Sequence, residues 1–144
     1  MEKQSERFAR QIILPDVGPE GQELLFQSRI LCVGAGGLGS PVALYLAAAG
    51  IGRLGLIDPD RVGESNLHRQ ILFSMADLGR PKVEAARQRL LGLNPEMSVE
   101  TYPFALNAEN AEAIFREYDI VIDGTDNFTA KFLINDAAVK VGIP

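Results

Sequence analysis

Four glycines follow an apolar run in ILCVGAGGLGSP, residues 30–41, and together they could hold a phosphate group. Gly34, Gly36 and Gly39 fit the pattern G-x-G-x-x-G, and Gly37 lies inside it. Glycines allow a tight turn in which backbone N–H groups approach a phosphate, and the start of a helix adds about half a positive charge. The alternative is a turn that only packs helix against strand. Phosphate binding is favoured, but the loop does not identify the nucleotide.

Asp58 ends the second apolar run of the chain and is a candidate for binding a ribose. An acid at this point of a dinucleotide site accepts hydrogen bonds from ribose hydroxyls. A solvated turn residue is the alternative, because Asp-Pro-Asp is a common turn sequence, and the role of Asp60 stays open. A nicotinamide-dependent dehydrogenase is equally consistent with these features.

The segment ESNLHRQ, residues 64–70, favours ATP chemistry over hydride transfer. It places Ser65, Asn66 and Arg69 on a turn beside the glycine loop, and Lys82 lies in the first turn of the next predicted helix. Fixed cations offset the negative charge that develops during phosphoryl or nucleotidyl transfer. Hydride transfer to a nicotinamide has no such need. The alternative for each cation is an ordinary solvated surface charge.

The segment DGTDN, residues 123–127, follows the fourth predicted strand. Asp126 is a candidate ligand of Mg²⁺, which takes one or two protein carboxylates together with phosphate oxygens and waters. Asn127 lies beside it and could instead cap the final helix. Asp123 is expected to orient the loop.

Two further residues could do chemistry. His68 is the only histidine, and its role stays open because it lies between the better candidates Asn66 and Arg69. Cys32 lies in an apolar strand, where cysteine acts as a small buried hydrophobe rather than a nucleophile.

The composition excludes several classes of protein. A net charge of -5 argues against nucleic acid as the main partner, and a single cysteine excludes an internal disulfide or a cysteine-based zinc site in this stretch. The N-terminus is too polar for a signal peptide, and no apolar run reaches the ~18 residues of a membrane span. We therefore expect a cytoplasmic protein that does not bind membranes.

Strands alternate with helices along the chain, which predicts an α/β fold: a doubly wound, Rossmann-like, mainly parallel sheet with helices on both faces. Residues 1–28 are expected to be a helical segment, and residues 29–144 a nucleotide-binding domain. The ending NDAAVKVGIP predicts a further strand beyond it, so we expect a longer protein. The predicted strands are 29–34, 53–58, 97–103 and 119–124, and the predicted helices are 38–49, 80–93, 107–118 and 129–141.

The motifs together resemble the ThiF/MoeB/HesA family, relatives of the ubiquitin-activating enzymes. The matching elements are RFARQI, VGAGGLGSP, LIDPDRVGESNLHRQ, GRPKVEAA, LNP and DGTDN, in order and over nearly the whole chain. The resemblance implies an adenylyltransferase that uses Mg·ATP to activate the C-terminal carboxylate of a ubiquitin-like sulfur carrier ending in Gly-Gly. Sulfur is then transferred to the acyl-adenylate in thiamine, molybdopterin or related pathways.

The resemblance also assigns roles to individual residues. Gly37 would approach the phosphates, Asp58 would bind the ribose and Asp126 would hold Mg²⁺. In the family, the arginine that matches Arg10 reaches the ATP site of the other subunit, which implies a homodimer to which residues 1–28 contribute. The implied ATP-binding residues are Gly37, Asp58, Ser65, Asn66, Arg69, Lys82, Asp126 and Asn127, and the implied catalytic residues are Arg10, Arg69, Lys82 and Asp126.

The chain lacks two features of the family, and other functions stay open. The two CxxC zinc pairs and the reactive cysteine of many members lie downstream of the matching region, so zinc is expected only in a missing C-terminal part. One alternative is a relative that dehydrates threonylcarbamoyladenosine in tRNA. The others are an NAD-dependent oxidoreductase and a catalytically silent scaffold.

Overall fold

A computed structural model describes residues 6–144 as one parallel sheet between two layers of helices. Its strands are β1 (Arg29–Val33), β2 (Arg53–Ile57), β3 (Ser98–Tyr102) and β4 (Ile120–Asp123). They lie in the order β3-β2-β1-β4, and every pair is parallel. The predicted fold class and all four predicted strands are confirmed.

The helices of the described region connect these strands. No helix within residues 6–144 is both long enough and apolar enough to cross a membrane. Short 3-10 helices at Glu64–Asn66 and Met75–Asp77 interrupt the long loop after β2. The α-helices are α1 (Ala9–Ile12), α2 (Gly18–Gln27), α3 (Gly39–Ala49), α4 (Lys82–Leu93), α5 (Ala111–Phe115) and α6 (Phe128–Val141).

The central strand β1 determines where a ligand can bind. Val33 at its end pairs with Ile57 of β2 on one side and with Asp123 of β4 on the other. From β1 the chain runs outward through β2 and β3, then returns to β4 on the opposite side of β1. This reversal opens a crevice between the carboxyl ends of β1 and β4, which is the usual ligand site of such sheets.

Alternate residues of β1 belong to two separate cores. Ile30 and Cys32 pack in the core that contains residues of α3 and α4, whereas Leu31 and Val33 pack in the core that contains residues of α5 and α6. Because successive side chains of a strand point to opposite faces, the apolar run of β1 requires a helical layer on each face.

Cys32 is fully buried, as the sequence predicts. Burial raises the pKa of its thiol to about 12, and the charges of Asp58 and Asp123 add to the effect. At neutral pH the thiol is therefore protonated and acts as a core side chain.

The helix predicted over residues 107–118 is shorter, because α5 begins only at Ala111. The side-chain oxygen of Asn107 accepts hydrogen bonds from the backbone N–H groups of Glu109 (2.9 Å) and Asn110 (3.0 Å). The side-chain oxygen of Asn110 accepts from the backbone N–H of Asn107 at 2.9 Å. Side chains that take up backbone donors in this way hold the segment as a turn.

The predicted N-terminal helical region is divided into α1 and α2 by a turn that contains Pro15. Proline lacks an N–H donor and restricts the residue before it, so it interrupts a helix. The side-chain amide of Gln11 donates to the carbonyl of Ala49 at 3.0 Å, so this region packs at the end of α3 remote from the glycine loop. Residues 1–5 of the predicted segment lie outside the described residues.

Gly55 in β2 has no room for a side chain, which gives a test of the packing. A Cβ at this position would overlap the hydroxyl of Tyr118 and lie 2.7 Å from Cδ1 of Leu31. We expect Gly55→Ala to lower the free energy of unfolding by about 1–3 kcal/mol, measured by urea denaturation of the full-length protein. The matched control is Gly92→Ala in α4, where a Cβ meets nothing within 4 Å. It should raise the free energy by about 0.5–1 kcal/mol, and equal stability of the two variants would contradict the packing.

Candidate functional site

A cleft of about 970 Å³ opens at the carboxyl ends of β1, β2 and β4. Val33, Ile57 and Gly124 line its floor at the ends of these strands. A cleft of this volume is large enough for a nucleotide-sized ligand. It lies at the crevice that the reversal of strand order predicts.

Three glycines bring the walls of the cleft together. Gly34 has φ +94°, and a Cβ there would lie 2.9 Å from the carbonyl oxygen of Gly124. A Cβ on Gly39 would overlap the carbonyl oxygen of Gly34. Any larger residue at these positions would separate β1 from the loop after β4 or from the start of α3.

Gly36 and Gly37 differ from Gly34 and Gly39, because they line the cleft and are not packed against other backbone segments. A Cβ on Gly36 would meet only the side-chain nitrogen of Gln70, at 3.7 Å, and one on Gly37 would meet the side chain of Arg69, at 3.4 Å. Within residues 6–144, the backbone N–H groups of Gly36 and Gly37 have no hydrogen-bond acceptor. Free amides beside the N-terminus of α3 form a site that suits an anion.

Asp58 joins the glycine loop to the loop after β2. Its Oδ2 accepts from the backbone N–H of Ala35 at 2.8 Å, and its Oδ1 accepts from the backbone N–H of Asp60 at 2.9 Å. The residue is only 6% exposed, and it lies on the cleft wall. The carboxylate is thus more than a solvated turn residue, and its role toward a ribose stays a prediction.

Lys82 lies on the cleft wall at the first residue of α4. It is 5% exposed, and its Nζ is 3.4 Å from Oδ2 of Asp60. Its backbone N–H donates to the carbonyl of Asp60 at 2.9 Å, which fixes the start of α4 beside the loop after β2. Lysine is rarely buried to this extent unless it is paired. Lys82 is therefore not the solvated surface charge that the sequence left as an alternative.

The turn after β2 brings two more predicted residues to the cleft. Arg69 and Asn66 line it, and Arg69 is exposed, with its Nη1 3.4 Å from the backbone carbonyl of Ser65 and 3.3 Å from Nε2 of His68. The side chains of Ser65 and His68 are also exposed, but neither residue lines the cleft. The only support for the predicted phosphate role of Ser65 is that it lies on the same turn as Asn66 and Arg69.

The loop after β4 places a carboxylate at the rim of the cleft. Asp126 is exposed and makes no hydrogen bond or ion pair with any part of the chain that the structure describes. Asn127 also lines the cleft, while its side-chain oxygen accepts from the backbone N–H of Ala130 at 2.8 Å and caps α6. The capping role considered for Asn127 is confirmed.

Asp123 holds this loop in place, as expected. Its Oδ1 accepts from the backbone N–H of Thr125 at 2.8 Å, and its Oδ2 lies 3.1 Å from Nζ of Lys131. Burial acts to raise the pKa of Asp123, but the hydrogen bonds from Thr125 and Lys131 outweigh it, so the pKa lies below its ordinary value. The carboxylate is ionised at neutral pH and keeps the loop fixed.

Nothing among residues 6–144 resembles a metal site built from protein alone, since no group of three or more His, Cys, Asp or Glu side chains could hold an ion. A single unpaired carboxylate at the rim of a phosphate site is nevertheless what Mg²⁺ uses when substrate phosphates supply its other ligands. Asp126 fits that role.

Sequence reasoning did not identify several residues of the cleft. Leu106 and Leu133 form an apolar wall, and Gln70 lies beside the glycine loop. The position of Leu106 just after β3 could have indicated it, because the carboxyl ends of parallel strands meet at one edge of the sheet. Nothing in the sequence pattern indicates that the polar residue Gln70 is buried.

Comparison with known proteins assigns the chain to a family. The family model described as ThiF matches residues 8–144. The chain belongs to the ThiF family. This ThiF chain is 55% identical over 139 residues to the sulfur carrier protein adenylyltransferase of Thermus thermophilus, a match that covers 96% of the chain and 51% of that protein.

Two further relatives extend the comparison. The probable adenylyltransferase/sulfurtransferase MoeZ of Mycobacterium tuberculosis is 48% identical, over 96% of this ThiF chain and 35% of that protein. The crystal structure of E. coli tRNA N6-threonylcarbamoyladenosine dehydratase, TcdA, in complex with ATP is 30% identical with a TM-score of 0.94, over 100% of this chain and 59% of that one. The chain thus spans about half the length of the Thermus relative and a smaller part of the length of MoeZ.

The two hydrogen bonds of Asp58 give a test of the site's construction. In Asp58→Ala, the N–H of Ala35, a residue that is 1% exposed, is left buried without an acceptor. We expect the free energy of unfolding of the full-length protein to fall by about 1–3 kcal/mol in urea denaturation. The control is the exposed Asp136→Ala on α6, which should change it by less than about 0.5 kcal/mol. An Asp58→Ala protein as stable as this control would contradict the bridging role.

Proposed function

We propose that this chain is the nucleotide-binding part of an enzyme that adenylates the C-terminal carboxylate of a ubiquitin-like sulfur carrier and releases pyrophosphate. The observation that carries the proposal is the convergence in one cleft of two free glycine amides with Arg69, Lys82 and Asp126. The adenylyltransferase names of the relatives at 55% and 48% identity support it.

The mechanism follows from the charges that must meet. A carrier carboxylate is ionised near neutral pH, so it attacks the α-phosphorus of ATP without a general base. Two anions approach each other and negative charge grows on the leaving pyrophosphate, so Arg69 and Lys82 stabilise the transition state. The amides of Gly36 and Gly37 hold the phosphates beside them, and Asp58 binds the ribose.

The remaining groups of the cleft complete the site. Asp126, with Asn127 beside it, would hold Mg²⁺, which supplies positive charge to the phosphate oxygens when bound. Asn66 would contact the phosphates, and Leu106 and Leu133 would pack against the adenine. Ser65 lies outside the cleft lining, and it would contact the phosphates from the same turn. The only cysteine is the buried Cys32, so a cysteine-based zinc site would need residues outside this chain.

Arg10 would act from the other subunit of a homodimer. It is exposed and does not line the cleft. It belongs to α1, next to Gln11, whose bond to Ala49 holds α1 at the end of α3 opposite to the glycine loop. An arginine there can reach a phosphate site only on a second copy. The exposed apolar side chains of Ile13 and Leu14 beside it suit a subunit contact.

Three alternatives are weaker. The similarity to TcdA favours an ATP-using relative that acts on tRNA. However, the chain is only 30% identical to TcdA, whereas it is 55% identical to the sulfur carrier protein adenylyltransferase. Membership of the ThiF family leaves the NAD-dependent oxidoreductase without support. The intact set of Arg69, Lys82 and Asp126 argues against a silent scaffold. We place the proposed reaction in the cytoplasm, where ATP is available.

ATP–pyrophosphate exchange tests the proposed reaction. The full-length protein should exchange pyrophosphate into ATP only with a carrier that ends in Gly-Gly. Asp126→Ala should reduce the exchange by about 100-fold or more, because the phosphates lose their metal ligand, whereas Asp136→Ala should retain it. Exchange that needs no carrier, that occurs with none of the carriers, or that requires tRNA instead would overturn the proposed reaction. Unchanged exchange in Asp126→Ala would rule out the metal role of Asp126.

Co-expression of two inactive variants tests the role of Arg10. Arg10→Ala and Arg69→Ala should each be inactive alone. When the two are expressed together with different tags, mixed dimers contain one site that lacks both arginines and one that is intact. Activity should return to about a quarter of the wild-type value if subunits mix at random. If Arg10 acted within its own chain, the mixture would stay inactive.

A further inference from the structure

The side chain of Gln70 differs from the other polar side chains described for the cleft because it is both buried and unpaired. Gln70 is 4% exposed and lines the wall of the cleft. Its Oε1 is buried without a hydrogen-bond partner, and its Nε2 donates to no acceptor within residues 6–144. A buried amide that forms no hydrogen bond destabilises the protein that contains it.

The backbone, and not the amide itself, keeps Gln70 in this position. Its backbone N–H donates to the carbonyl of Asn66 at 2.9 Å, and its carbonyl accepts from Phe73 at 3.1 Å. Beyond the exposed Ile71, the side chains of Leu72 and Phe73 are buried in the core. The turn is thus fixed on both sides, and the side chain is held beside Gly36 without gaining a bond there.

Gln22 shows what a buried glutamine looks like when its role is structural. It is 2% exposed, its Nε2 donates to the carbonyl of Ala49 at 3.1 Å, and its Oε1 accepts from the amide of Gln11 at 2.7 Å. Both ends of that amide are paired within the protein. Neither end of the Gln70 amide is, although it is buried to a similar extent.

The position of the free donor indicates what could pair with it. The Nε2 of Gln70 lies 3.7 Å from the position that a Cβ of Gly36 would occupy. Gly36, Gly37 and Gln70 all line the cleft, and the backbone N–H groups of the two glycines are unpaired. An acceptor placed there would receive hydrogen bonds from the backbone and from Gln70 together.

We propose that the side-chain amide of Gln70 binds the phosphate chain of ATP, as an uncharged donor that acts together with the amides of Gly36 and Gly37. This inference rests on the proposed function, because it takes ATP as the occupant of the cleft. Phosphate oxygens carry no proton at neutral pH and accept hydrogen bonds. A neutral donor binds them without adding a further cation next to Arg69 and Lys82.

The test compares binding with stability in Gln70→Met, which removes the amide and keeps a side chain of similar length. ATP binding by the full-length protein, measured by calorimetry, should weaken roughly 10- to 100-fold, the value expected for loss of a hydrogen bond to a charged group. Adenosine binding should stay unchanged, because it has no phosphates. The melting temperature without ligand should rise, because an unpaired buried amide is replaced by an apolar group.

Two further variants separate the possible explanations. Gln70→Glu keeps the shape but places a carboxylate beside the phosphates, so it should weaken ATP binding more than Gln70→Met does. Gln22→Met should show the reverse pattern, with a lower melting temperature and unchanged ATP binding, because it removes the two hydrogen bonds that the buried amide of Gln22 makes with Gln11 and Ala49.

The outcomes distinguish this inference from the proposed function. Equal ATP affinity in wild type and Gln70→Met, or an equal loss of adenosine and ATP affinity, would overturn the role of Gln70 alone. A wild-type protein that does not bind ATP would overturn the proposed function and this inference with it. ATP binding that depends on Gln70 in a protein without carrier-dependent exchange would support the inference and overturn only the proposed reaction.

Discussion

The contact between Gly34, Gly39 and Gly124 is the constraint on which the rest of the site depends. A side chain on Gly34 or Gly39 would meet backbone atoms, so β1, the start of α3 and the loop after β4 can meet only with glycine at those two positions. Their contact leaves Gly36 and Gly37 on the open side of the loop, with their amides free. The proposed phosphate site is thus a consequence of the close packing between these glycines.

Backbone hydrogen bonds connect the remaining walls to this contact. The N–H of Gly34 donates to Ile57 at 2.7 Å, that of Gly124 donates to Val33 at 2.8 Å, and that of Lys82 donates to Asp60 at 2.9 Å. These backbone bonds join the glycine loop to the segments that carry Lys82 and Asp126. A site built this way needs little rearrangement when charge develops on a substrate. Groups that are already in place stabilise such charge most effectively.

The sequence predicted the sheet well because β1, β2 and β4 are short apolar runs that end in glycine or aspartate, and β3 alternates between apolar and polar residues. It overestimated the helix around Asn107, because asparagine side chains compete there with helical hydrogen bonds. It identified Lys82 by its spacing but could not predict its burial, which depends on how the loop of Asp60 packs against α4. Gln70 was missed for the same reason, since burial of a polar residue in a turn is decided by long-range contacts.

The burial of Cys32 has a consequence for sulfur chemistry. Because burial raises the pKa of its thiol to about 12, the thiol is protonated at neutral pH, whereas thiolate is the form that attacks sulfur or accepts it. The thiol also lies in the middle strand of the sheet, fully covered by protein. The single cysteine of this chain is therefore unsuited to carry a persulfide. In the proposed pathway, the sulfur that displaces AMP from the acyl carbon comes from a donor outside this chain.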